Sequence, residues 1–174
     1  MKKVILIPDS FKGTMRVTEI CSIMRKEVEK HYLNCKVVSI PVADGGEGSV
    51  DCFLQAAGGQ SVVARVNNPF YEKIDAAYGL IHAGETAVVE MAAAAGLPMV
   101  YDRRDPLRAT TYGVGELMAD ALDRGVKKLV IGLGGSATND GGCGAAAALS
   151  VRFYREDGET FIPAGGTLAE IARN

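Results

Sequence analysis

The sequence has 174 residues, 48% of them hydrophobic and 23% charged, with 19 basic against 21 acidic side chains. That is enough apolar material for one ordinary domain or two small ones, and it argues against disorder over most of the length. A net charge of −2, with no basic run longer than pairs such as Lys127-Lys128, excludes a nucleic-acid backbone or an anionic membrane surface as the main partner; no apolar run suffices to span a bilayer.

Met1-Lys2-Lys3 and the apolar residues after it are too short for a secretory signal, so residues 3–8 are predicted as a first buried strand. Ile20, Ile23, Met24 and Val28 recur at helical spacing, which predicts an amphipathic helix over residues 17–31 with Thr14 or Thr18 as its cap. A β-rich run follows at 36–42, then a helix at 48–57 stopped by Gly58-Gly59. This order predicts a parallel sheet with covering helices.

Past Gly59 the pattern changes. Residues 61–66, 74–81 and 86–91 read as strands without helices between them, so an antiparallel meander is expected. A helix at 112–124, a strand at 128–132, an alanine-rich helix at 142–149 and a hairpin across Asp157-Gly158 complete the chain. The predicted class is α/β, with residues 1–62 forming the N-terminal part of a parallel, Rossmann-like sheet with flanking helices. Residues 63–174 are expected to form part of a second, mixed-sheet α/β domain. Cys21, Cys35, Cys52 and Cys143 lack the short spacing of zinc or redox motifs and are expected to be reduced thiols in a cytoplasmic protein.

Three loops follow predicted strands and combine glycine with acids or hydroxyls: Asp9-Ser10-Phe11-Lys12-Gly13, Asp44-Gly45-Gly46-Glu47-Gly48, and the long run from Gly132 to Gly142. In open α/β sheets ligands bind outside the carboxyl ends of strands. Glycines allow backbone N–H groups to approach a phosphate, and a helix starting beyond the loop adds its positive end. Lys12 is the only cation of the first loop and suits a phosphate or a carboxylate. Asp44 and Asp140 suit either Mg²⁺ binding or proton removal from an attacking hydroxyl, and phosphoryl transfer needs both. A single Asp-Gly pair is most often only a turn. The third loop fits a relaxed dinucleotide fingerprint poorly, because its helix starts late, and no Gly-Lys-Ser/Thr marks a Walker loop.

Thr110 and Thr111 precede a helix, either as an anion site or as a cap paired with Glu116. Glu90 ends a strand, either as a ligand or as a buried, satisfied acid. His31 and His82 have no carboxylate partner visible in sequence and are not expected to be catalytic.

The three loops, with Glu90-Met91-Ala92-Ala93-Ala94, Asp105-Pro106-Leu107 and Ala109-Thr110-Thr111-Tyr112-Gly113, resemble the bacterial glycerate kinase family in order over nearly the whole chain. The resemblance implies a two-domain kinase with its site in the cleft between domains, phosphorylating D-glycerate with ATP and Mg²⁺, usually to 2-phosphoglycerate. It points to Lys12, Asp44 and Asp140 as catalytic, with Asp44 and Asp140 also as metal ligands. Asp9, Ser10, Gly45, Gly46, Glu47, Gly134, Gly135, Ser136, Thr138, Asn139, Thr110 and Thr111 are expected to contact substrate or phosphate. The chain resembles only about the N-terminal half of the family, so a homodimer or a missing C-terminal half is expected to complete the site. The alternative is a non-catalytic ligand-binding or interaction fragment.

Overall fold

A computed structural model describes residues 3–11 and 14–173, so Lys12 lies outside the described residues. Strands β1 (Lys3–Leu6) and β2 (Lys36–Ser39) pair in parallel, with Val4 opposite Val37. Helix α1 (Val17–His31) packs on this pair and buries Val17, Ile20 and Cys21. Its start differs from the sequence expectation. Arg16, not Thr14 or Thr18, occupies the cap position, and no side chain caps the helix there. Tertiary packing of the apolar stripe therefore holds α1. Strand β2 stops before the predicted Val42, and Pro41, two residues on, has no N–H to offer a ladder.

Helix α2 (Ser49–Ala57) leads into a four-stranded sheet of β3 (Gln60–Asn67), β4 (Lys73–Ile81), β5 (Thr86–Glu90) and β6 (Lys128–Gly132), in that spatial order. The first three strands form the expected antiparallel meander, and β6 joins β5 in parallel with Glu90 opposite Gly132. The crossover between them carries α3 (Met91–Ala95) and α4 (Tyr112–Asp123). Helix α5 (Cys143–Ala148) and the hairpin β7 (Phe153–Tyr154) and β8 (Thr160–Phe161) follow.

The period-two pleat sorts the sheet's side chains onto two cores. Val66, Ala76, Tyr78, Leu80, Ala87 and Val89 pack with Ala94, Ala95, Val114, Leu117 and Ala121 of α3 and α4. The Tyr78 hydroxyl donates to Asp120 Oδ2 at 2.7 Å, giving a fully buried phenol its polar partner. On the opposite face Ile81 and Val88 pack with Val50 and Leu54 of α2. Gly79 leaves room for that helix, since a Cβ there would lie 3.1 Å from Val50 Cγ1.

Helix α4 also depends on glycine at two positions. A Cβ on Gly113 would fall 1.7 Å from the Asn67 carbonyl oxygen, and one on Gly115 would fall 2.4 Å from that of Ala145 in α5. Both contacts are with backbone, which cannot rotate aside. Gly115→Val is therefore expected to destabilise the protein by about 2 kcal/mol or more, as overpacking does, read as a lower urea midpoint. An unchanged midpoint would show that α4 and α5 do not meet this closely.

Candidate active site

All three loops leave the carboxyl ends of parallel-paired strands: the first β1, the second β2, the third β6. The second and third loops interlock through glycine. The Gly134 N–H donates to the Gly45 carbonyl at 2.9 Å. A Cβ on Gly132 would lie 2.4 Å from that same carbonyl oxygen, and one on Gly134 would lie 2.6 Å from the Gly46 nitrogen. Gly45 adopts φ +88°, in the left-handed region where a side chain is strained. The third loop is also stitched on its other side. Leu97 N–H donates to Gly135 O at 2.9 Å, and Ala137 N–H donates to Ala95 O at 2.9 Å.

Glu90 sits where these pieces meet. It is 8% exposed, and its Oε1 accepts the Val50 N–H at 2.6 Å in the first turn of α2. Burial raises its pKa above the ordinary carboxylate range, hydrogen bonds from the Val50 and Gly48 amides oppose that rise, and nearby Asp51 and Glu47 reinforce it. The two alternatives open at the sequence level resolve here: Glu90 is a buried, hydrogen-bonded acid that caps α2 from forty residues away. The positive end of α2 is thus already matched with a carboxylate.

Asp140 plays the same part at a second junction. It is 1% exposed. Its Oδ2 accepts from Thr111 N (2.8 Å), Thr111 Oγ1 (2.9 Å), Gly144 N (3.1 Å) and Thr110 Oγ1 (3.3 Å), and its Oδ1 accepts from Gly142 N (3.0 Å). Thr111 Oγ1 in turn accepts the Ala145 N–H at 2.9 Å. One carboxylate therefore ties the third loop to the first turns of α4 and α5. Thr110 and Thr111, expected at the substrate, are 1% and 2% exposed and spend their hydroxyls on this knot. Glu116, expected to close a capping box with them, instead accepts from the Asn67 backbone at 2.5 Å and from Lys73 Nζ at 2.9 Å.

The remaining expected residues lie nearer the surface. Asp44 is exposed, and its Oδ1 accepts the Gly46 N–H at 3.0 Å. Glu47, Gly135 and Asn139 are exposed, whereas Gly46 is buried and Gly45, Gly134, Ser136 and Thr138 are half-buried. The Ser136 and Thr138 hydroxyls share a hydrogen bond of 2.7 Å. In the first loop Asp9 Oδ1 accepts the Ser10 N–H at 2.7 Å. The Cys52 thiol is pushed up by burial and then by the carboxylates of Asp51, Asp9 and Glu90. Among the described residues no three His, Cys, Asp or Glu side chains gather into a metal cage.

Comparison with known proteins matches this arrangement to one family. The sequence profile of the glycerate kinase family covers residues 4–174. The chain belongs to the glycerate kinase family. A glycerate kinase of Halalkalibacterium halodurans is 42% identical over 174 residues, covering 99% of this chain and 46% of the relative. A glycerate 2-kinase of Escherichia coli K12 is 41% identical over 167 residues, covering 95% and 44%. A crystal structure from Salmonella typhimurium LT2, provisionally assigned as glycerate kinase 2, superposes with a TM-score of 0.80 at 38% identity, over 98% of this chain and 46% of that one. The chain thus spans just under half the length of the relatives it matches.

The β3–β4 turn is the part of the site's support that sequence reasoning missed, since Asn67-Asn68-Pro69 reads only as a turn. Asn68 Oδ1 accepts the N–H groups of Phe70 (2.9 Å) and Glu72 (3.0 Å), and the Pro69 carbonyl accepts the Thr110 N–H at 3.0 Å. The turn thereby anchors the segment that holds Asp140. Tyr71, at φ +63°, places its ring 5.6 Å from that of Tyr112 beside it.

Two outcomes are expected. Asp140→Ala leaves buried N–H groups of Thr111 and Gly144 without an acceptor and costs roughly 3 kcal/mol, measured by urea unfolding at neutral pH; a cost near zero would contradict the knot. Glu90 has a folded-state pKa above its unfolded one, so its contribution is full below the unfolded pKa and is lost as pH rises through the folded value. From about pH 4 upward, wild-type stability should therefore fall relative to Glu90→Gln. Parallel pH profiles would refute that.

Proposed function

We propose that these loops form part of the active site of an ATP-dependent kinase that phosphorylates D-glycerate to 2-phosphoglycerate. The observation that carries this reading is the Gly45–Gly134 interlock, which holds two strand-end loops side by side at the junction between residues 1–62 and 63–174. Lys12 supplies the positive charge for a phosphate or the glycerate carboxylate. The burial of Asp140 and the exposure of Asp44 support dividing their work: Asp44 faces ligand chemistry, and Asp140 fixes the loop. Ser136, Thr138 and Asn139, with the backbone of Gly134 and Gly135, offer the donors that orient phosphate or substrate. Asp9 and Ser10 close the same end from the first loop.

Mg²⁺ fits this donor set in its usual manner, held by one or two carboxylates and the substrate phosphates instead of an all-protein cage. Asp44 is the residue that would hold it, and the ion would neutralise the charge on the transferring group. The protein's own share is orientation of the glycerate hydroxyl toward the phosphate and exclusion of water, which competes as acceptor.

The second reading, a non-catalytic fragment of the same family, is favoured by one observation: an apolar face of the β1–β2 pair stands in solvent. Release of ADP from MgATP with and without D-glycerate separates the two. Glycerate-dependent turnover that Asp44→Asn lowers by about 100-fold or more, with an unchanged melting temperature, is expected of the kinase. No turnover from a folded chain supports the fragment, and full turnover by Asp44→Asn would remove Asp44 from the chemistry.

A further inference from the structure

The β3–β4 turn carries an aromatic ring in a conformation that turn chemistry assigns to glycine. Tyr71 has φ +63°, in the left-handed region where a bulky side chain is strained and glycine is not. A rigid frame holds that strain. The Tyr71 N–H donates to the Asn68 carbonyl at 3.1 Å, and the Asn68 N–H donates to that of Glu72 at 2.8 Å. The Glu72 carboxylate accepts from Arg103, whose guanidinium lies 4.5 Å from the centre of the Phe70 ring. Backbone strain kept this firmly is characteristic of residues whose side chains act at a ligand site.

The ring takes no part in the core. It is 48% exposed, stands 5.6 Å from the Tyr112 ring at an interplanar angle of 50°, and meets the Thr110 side chain with its phenol. Its place in the fold is beside the proposed site. Strand β3 runs in the same direction as β5 and β6, so the turn stands at the carboxyl end of the sheet, with the third loop. That loop joins two regions. Near its start Gly134 touches Gly45, one residue from Asp44; near its end Asp140 accepts from Thr110 and Thr111, next to Tyr112. A ligand laid along the loop has Asp44 at one end and two tyrosine rings at the other. A nucleoside triphosphate has the matching polarity, anionic at one end with a flat aromatic base at the other. We propose that Tyr71, with Tyr112, is the platform on which the nucleotide base stacks, the phosphates running along the third loop toward Gly134 and Asp44. This rests on the kinase reading and adds the direction in which the nucleotide lies, leaving glycerate the end formed by the first and second loops.

The test is calorimetric titration of the 174-residue chain with MgADP and, separately, with magnesium tripolyphosphate, which has phosphates and no base. Tyr71→Gly is expected to weaken MgADP binding by about tenfold or more, as loss of a base–aromatic contact does. Tripolyphosphate should bind this variant as it binds the wild type, and Tyr71→Phe, which keeps the ring, should keep the affinity for MgADP. A tyrosine with only a structural role would weaken both probes together. A second measurement needs no substitution: transferred NOEs from the adenine ring protons should reach the Tyr71 ring of the wild-type chain. Equal MgADP affinity in wild type and Tyr71→Gly, tripolyphosphate binding as tight as MgADP binding, or NOEs that bypass Tyr71 would each overturn the platform and leave the kinase reading standing. Failure of the wild-type chain to bind either probe would overturn both.

Discussion

The second loop, from β2, and the third, from β6 of a separate sheet, meet only because their backbones touch. A Cβ on Gly132 or Gly134 would collide with the backbone of Gly45 or Gly46. With them fixed, the start of α2 is brought to the end of β5, where Glu90 meets the Val50 N–H. The third loop, pinned by Gly45 on one side and by Ala95 and Leu97 on the other, then arrives at Asp140 in a defined place. Packing of α2 on the sheet through Val50, Ile81 and Val88 follows from the same constraint.

The second organising feature is electrostatic. Two carboxylates expected from sequence to face a ligand, or left open as ligands, face inward instead. Glu90 meets the amides of α2, and Asp140 meets those at the starts of α4 and α5. Each buries a carboxyl group, and each surrounds it with N–H or hydroxyl donors, the condition under which burial of a polar group is tolerated. The glycine-rich mouths of α2 and α5 are thus occupied by the protein's own carboxyl groups. In the proposed function, recognition of an external anion is assigned to other donors: exposed Gly135 and Asn139, the half-buried hydroxyls of Ser136 and Thr138, and the lysine of the first loop.

Much of the fold was legible because its signals are local. The recurrence of Ile20, Ile23, Met24 and Val28 marked α1 at both ends, although Ile23 and Met24 are exposed and Val17 and Cys21 share the burial with Ile20; the β-branched run at β6 was read without error. The strand-then-glycine pattern located all three loops. The rest was hidden because it depends on partners distant in sequence. Nothing around Asp140 announces Thr110 and Thr111 some thirty residues earlier, and nothing around Gly48 announces Glu90. The segment before α4 read either as an anion site or as a cap, and nothing in it announced that Gly113 and Gly115 allow close approach to Asn67 and Ala145. Glu116 looked like a local capping partner, yet a longer-range contact with Asn67 and Lys73 holds it.

The measurement that bears most directly on the loop interlock is amide hydrogen exchange at Gly134, compared with Ala137 and with the core amides of β5. If Gly134 donates to Gly45 inside a packed junction, it should exchange only with opening of the sheet, as slowly as Val88 and Val89. Exchange at the rate of an open surface loop would mean that the second and third loops are not held together, and the site built on their contact would fall with it.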